Sequence, residues 1–232
     1  MLEIIVPLIT LISLEVILGI DNIIFISILA DKLPEENRAK LRQLGIFLAM
    51  FLRLALLALV AWIMKLDQPL FTVLENQISG KDIILLVGGT FLFYKSTVEI
   101  YHKTEHDDES KKDGKPAVFR DLLIQILLLD MVFSIDSIIT AVGLVKELWI
   151  MYTAVVVSVI IMFFASKPIS DFISKHPSFK VLALSFLLMI GLTLIAEGLD
   201  VHVPKGYVYF AMFFSFLVNV IQLKTTPKSK VD

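Results

Sequence analysis

Seven apolar runs, near residues 4 to 30, 39 to 64, 82 to 101, 119 to 145, 148 to 166, 179 to 199 and 206 to 223, constrain this chain more than anything else in it. Each is long enough to cross about 30 Å of hydrocarbon as a helix. The bulk composition agrees: of 232 residues 57% are hydrophobic and only 19% charged, far from the balance of a soluble domain. The expected fold is all-α, a polytopic membrane protein of seven transmembrane helices. Its N-terminal run carries Glu3 in place of a basic n-region and continues past signal-peptide length, so the first helix is expected to stay in the mature protein. With no cysteine, disulfides, thiolate metal sites and cysteine nucleophiles are excluded.

The formal charge of −2 hides a strong asymmetry. The loops on one side of the spans, with their flanks and the tail, hold 15 of the 21 Lys and Arg, from Lys32 and Arg38 to Lys228 and Lys230. The other side holds four, Lys65, Lys81, Lys146 and Lys205. The positive-inside rule then places the N-terminus outside and the C-terminus in the cytoplasm. Arg53 and Lys95 are the two left over, inside spans.

A doubled motif lies in the first and fourth runs. Leu14-Glu15-Val16-Ile17-Leu18-Gly19-Ile20-Asp21-Asn22-Ile23-Ile24 is echoed by Leu129-Asp130-Met131-Val132-Phe133-Ser134-Ile135-Asp136-Ser137-Ile138-Ile139. Gly89 to Lys95 in the third run matches Gly191 to Glu197 in the sixth. Each unit is therefore three spans, and an odd number turns the second copy over, which predicts inverted repeats of the transporter kind. The expected divisions are a first repeat at 1–101, a charged cytoplasmic linker at 102–118, a second repeat at 119–200, and a seventh helix with its tail at 201–232. The linker, HKTEHDDESKKDGKPA from His102, reads as a solvated loop.

Four carboxylates in two lipid-embedded helices oppose insertion by about 10 kcal/mol together, at roughly 2.5 to 3.5 each, so a functional role is the default explanation. On an ideal helix Asn22 falls within about 20° of Glu15, while Asp21 stands about 120° round and about 9 Å along the axis. One unbroken helix cannot aim both acids at one ion. Inversion about the midplane brings Glu15 level with Asp136 and Asp21 level with Asp130, which predicts two stacked pairs with one acid from each half. Glu15, Asp21, Asn22, Asp130, Ser134, Asp136 and Ser137 all offer hard oxygen donors, suited to Mg²⁺, Ca²⁺ or Mn²⁺. Paired acids in low dielectric also favour protonation, so exchange of protons for the cation is chemically available. Glu197 is a candidate to extend the path outward, and Arg53 is a candidate ion-pair partner or a structural side chain. Met131, where the other copy has Val16, offers either a soft thioether ligand or ordinary packing.

Shorter features read as structural. Pro168 with Ile169, Phe172 and Ile173 suggests that the fifth span ends in an interfacial turn before Pro177. Trp62, Trp149, Tyr94, Tyr101, Tyr207 and Tyr209 lie near span ends and read as an aromatic belt.

With Glu15-Val-Ile-Leu-Gly-Ile-Asp21-Asn22 and the later Asp130-x5-Asp136-Ser137, the chain resembles the TerC family of integral membrane proteins over nearly all seven spans. The resemblance implies a multi-pass protein of the bacterial inner membrane, related to the LysE transporter superfamily, some of whose members export manganese. It makes Glu15, Asp21, Asn22, Asp130, Asp136 and Ser137 the expected metal path. It also leaves open the family's association with tellurite resistance and with metal delivery to exported proteins. Expected partners are a divalent metal ion and the bilayer, with a homo-oligomer or the secretion machinery as protein contacts, and no nucleic acid. No resident cofactor is expected: Mn²⁺, with H⁺ as counter-ion, would be the cargo. Enzyme activity is not expected, because an intramembrane aspartyl protease needs only two acids and no Gly-x-Gly-Asp occurs.

Overall fold

The computed structural model describes residues 2–66, 68–73, 76–104 and 118–225. In chain order these form α1 (Leu2–Ala30), α2 (Glu35–Ala58), α3 (Val60–Leu66), β1 (Pro69–Val73), β2 (Asn76–Ser79), α4 (Gly80–Thr104), α5 (Phe119–Leu144), α6 (Leu148–Lys175), α7 (Pro177–Glu197) and α8 (Lys205–Thr225). Seven of the helices are long and apolar enough to cross a membrane. The eighth, α3, is a 7-residue piece that follows a break at Leu59. It leads into an antiparallel hairpin of β1 and β2, which is absent from the expected all-α fold.

Local chemistry sets the helix limits. Pro34 precedes α2, whose first turn carries Glu35 and Glu36 where the positive end of the helix dipole favours acids. Pro177 opens α7 at a position where a proline's missing N–H costs nothing. The fifth span, whose apolar run ends near residue 166, does not give way to the interfacial turn expected before Pro177. α6 runs on through that proline to Lys175, and its 28 residues, about 42 Å at 1.5 Å per residue, exceed the hydrocarbon thickness. A proline removes one backbone hydrogen bond and strains a helix without having to end it, because the neighbouring helices hold both sides in place.

α5 is the centre of the bundle, buried on nearly every side from Val132 to Ile138. α1 packs on α6, α2 on α5, and α4 on α7. The α4–α7 crossing is as close as backbones allow: a Cβ on Gly191 would stand 2.8 Å from the Phe93 amide nitrogen and 3.0 Å from the Gly89 carbonyl oxygen. α8 leans on α7 and is the least buried of the spans. Two apolar cores result. One gathers Ile23 to Leu33, Leu122 to Phe133 and Leu184 to Leu194; the other gathers Leu11, Leu57, Ile63, Ile135 to Val145 and Ile150 to Ala154. The two acidic motifs lie between them, so the polar layer is sandwiched within the bundle.

At the end holding the α1–α2 and α6–α7 turns, ion pairs tie the helices together. Asp31 pairs with Lys180, Lys32 pairs with Glu99, and Arg42 donates to the Ser170 hydroxyl at 2.6 Å. Most of the linker expected at 102–118 lies outside the described residues, at 105–117, as does the tail from 226.

Candidate functional site

Every residue expected in the metal path is buried in the polar layer, but the layer is divided into two halves. In the first, Arg53 of α2 reaches between the two acidic motifs. Its Nη2 donates to Asp130 Oδ1 at 2.7 Å, its Nε to the same oxygen at 3.1 Å, and its Nη1 to Glu15 Oε2. The Asn22 carboxamide donates to Asp130 Oδ1 at 3.2 Å, and the Ser134 hydroxyl to Asp130 Oδ2 at 3.3 Å. Asp130 is thus surrounded by donors, and one guanidinium charge is shared by two carboxylates. Only 3% of Arg53 is exposed, so these bonds form in low dielectric, where a charge without a partner is costly. Beside this cluster a space of about 20 Å³ is bounded by Asn22, Arg53, Asp130 and Met162.

In the second half, Asp21 and Asp136 border a separate cavity of about 40 Å³, together with Thr193 and Glu197 of α7 and Tyr209 of α8. That volume admits an ion with one or two waters, since a single water needs about 10–15 Å³ by the same measure. Asp21 is 5% exposed and, among the described residues, makes neither hydrogen bond nor ion pair. The Tyr209 hydroxyl lies within electrostatic reach of Asp21, Asp136 and Glu197. Ser137 takes no part in either half, because its hydroxyl turns back to the Ser134 carbonyl at 3.3 Å.

The expected pairing by depth is therefore not what forms. Glu15 meets Asp130 through Arg53, and Asp21 shares a cavity with Asp136. Azimuth decides: six residues of helix turn the second acid about 120° from the first, so in each motif the two acids face different neighbours. Among the described residues no three His, Cys, Asp or Glu stand close enough to hold a metal ion by themselves. A cation in the second half would need the Thr193 and Tyr209 hydroxyls, or water, as further ligands.

One other expectation changes, and two open readings are narrowed. Tyr209 is not a belt residue but faces the acids; the remaining belt candidates, Trp62, Trp149, Tyr94, Tyr101 and Tyr207, are exposed as expected. Met131 packs against the apolar core that includes Leu11 and Ile135, and the thioether beside the polar layer is that of Met162, against Gly19. Lys95 lies over the Phe91 ring, 5.9 Å from its centre. The series of Tyr209 with Met212, Phe213 and Phe216 does not single it out in the sequence, because Phe210, Phe214, Leu217 and Ile221 make an equally apolar stripe on another face of α8.

Similarity to other proteins covers the same residues as this architecture. The UPF0053 protein of Haemophilus influenzae is 52% identical over 220 residues, 94% of this chain and 93% of that one. The UPF0053 inner membrane protein YgdQ of Escherichia coli K12 is 52% identical over 221 residues, with the same coverage. YoaE, a UPF0053 inner membrane protein of the same organism, is 50% identical over 214 residues, which span 92% of this chain but 41% of that longer one. No solved structure matches the chain. The family model described as "Integral membrane protein TerC family" matches residues 1–230, nearly the whole length and both acidic motifs, so the chain belongs to the TerC family of integral membrane proteins.

Proposed function

We propose that this protein transports a divalent metal cation, Mn²⁺ as the leading candidate, out of the cell across the inner membrane, with protons as the exchanged ion. The observation that carries this reading is Asp21, a buried carboxyl group without a hydrogen-bond or ion-pair partner among the described residues, in a water-sized cavity shared with Asp136. A carboxyl kept so at mid-bilayer is expensive, and exchange of a cation against a proton is the chemistry that such a group can perform. Arg53 neutralises part of the charge of Glu15 and Asp130, which leaves Asp21 as the acid for the exchanged ion.

Helix packing supports alternating access through inverted repeats. If α1, α2 and α4 correspond to α5, α6 and α7, the α1–α6 contact corresponds to α5–α2, and α1–α7 to α5–α4; all four contacts are present. Gly89 and Gly191, which correspond in the sequence, meet each other at the α4–α7 crossing. The ion pairs of Asp31 with Lys180 and of Lys32 with Glu99 would then close the cytoplasmic mouth in this conformation.

The test is Mn²⁺ flux in liposomes containing only this protein. Parent protein should move Mn²⁺ and Asp21→Asn should not, while Asp107→Asn in the linker should behave as the parent. Full flux in Asp21→Asn would end the assignment of Asp21 to the ion path, and no flux in the parent would end the transport reading. The latter result would favour the second reading, a membrane factor that docks on the secretion machinery through the exposed face of α8, which carries Phe210, Phe214, Leu217 and Ile221.

A further inference from the structure

A third and much larger cavity, about 710 Å³ and open along one side, where Ile17, Ile20, Phe213 and Phe216 are exposed, lies between α1, α6, α7 and α8. Its walls show a built geometry. α1 contributes Ile17, Ile20, Asp21 and Ile24, one face of a helix, and α8 contributes Tyr209, Met212, Phe213 and Phe216 at the same spacing. Stripes of this kind ordinarily interdigitate, yet here α8 packs on α7 and stands off from α1. At the far end Phe172 and Phe179 meet edge to face at 4.8 Å between ring centres, and Phe179 meets Phe216 at 5.5 Å. Asp21 is the single acidic residue of the lining, and it borders this cavity as well as the small one.

We propose that this cavity binds a lipophilic organic cation, which enters from the bilayer beside α8 and sets its charge against Asp21. Aromatic faces attract cations, more so when water is absent, and the apolar walls accept the hydrocarbon body. A lipid chain would satisfy the walls alone, whereas a buried carboxyl without a polar partner calls for a positive charge. The proposal goes beyond metal transport and stands without it, though both ligands would meet at Asp21.

Tetraphenylphosphonium is a suitable probe, with full-length protein in liposomes of phosphatidylethanolamine and phosphatidylglycerol and uptake into empty liposomes subtracted. Saturable binding of one cation per chain is expected, and the neutral isostere tetraphenylmethane should not displace it. Asp21→Asn should weaken binding about tenfold or more, the equivalent of one bound charge interaction. Met212→Trp, which keeps the carboxyl and fills the cavity, should weaken it similarly, so the proposal stays testable if Asp21→Asn does not reconstitute. Glu36→Gln, on an exposed site of α2, should bind as the parent does. No binding above empty liposomes, equal binding by both variants, or displacement by tetraphenylmethane would overturn the proposal. Mn²⁺ flux measured in the same liposomes reports separately on the metal reading.

Discussion

Removing the Arg53 guanidinium tests the division of the polar layer most directly. In Arg53→Met the side chain keeps its approximate length and loses all its hydrogen bonds to Asp130 and Glu15. Two carboxylates are then left in low dielectric with only the Asn22 amide and the Ser134 hydroxyl beside them. Breaking a buried ion pair from one side costs about 3–5 kcal/mol. With about 2–4 °C per kcal/mol for chains near this size, thermal unfolding in detergent should fall by roughly 6–20 °C. Trp62 and Trp149 provide the fluorescence signal. Combining Arg53→Met with Glu15→Gln and Asp130→Asn removes the unpaired charge, and should recover most of the loss, since apolar or neutral replacement of a whole buried network is often neutral or stabilising. In the single variant Mn²⁺ should act as a replacement cation, restoring about 2.7 kcal/mol when present at 100 times its dissociation constant. An Arg53→Met protein as stable as the parent, or a triple variant no better than the single one, would refute the assignment of Arg53 as resident counter-charge.

Other expectations are simpler to check. Reporter domains fused after Lys112 and after Lys224 should read cytoplasmic and one inserted near Gln77 external; opposite sides for the first two would break the seven-span topology. Gly191→Ala should cost about 1–3 kcal/mol, since its Cβ would press on backbone atoms of α4. Gly143→Ala has nothing within 4 Å and should be nearly neutral by the same unfolding assay; equal effects would mean that the α4–α7 crossing is looser than described. Met131→Leu should leave the competition of Mg²⁺ and Ca²⁺ against Mn²⁺ unchanged, because Met131 packs in an apolar core; stronger competition in that variant would restore it as a ligand.

How much of this was legible in the sequence depends on which physical rule governed each feature. The seven spans were legible because hydrocarbon demands about 20 apolar residues per crossing, and that demand has no tertiary exceptions here. The end of α6 was not, because a proline's local preference to break a helix was overridden by packing around Pro168. The hairpin of β1 and β2 was also missed: a short connection between Leu66 and Gly80 carries no long periodic pattern. The correspondence of Gly89 with Gly191 was read from sequence alone, but their meeting at one crossing depends on the packing of α4 against α7.

The site was legible in membership and not in pairing, and the reason is geometric. Depth along the axis follows from counting residues, so the motifs could be placed in one layer before any contact was known. Which acid faces which depends on the rotation of each helix about its own axis, and the rotation is set by partners on other helices. Arg53 holds the Glu15 and Asp130 faces toward α2, and this turns Asp21 and Asp136 toward α7 and α8. An isolated arginine at mid-span was the available clue: buried among apolar residues, it needs acids around it, and the first acid of each motif was within reach. Once those two are taken, Asp21 turns to another side of α1, and α8 supplies Tyr209 to the cavity that Asp21 borders with Asp136.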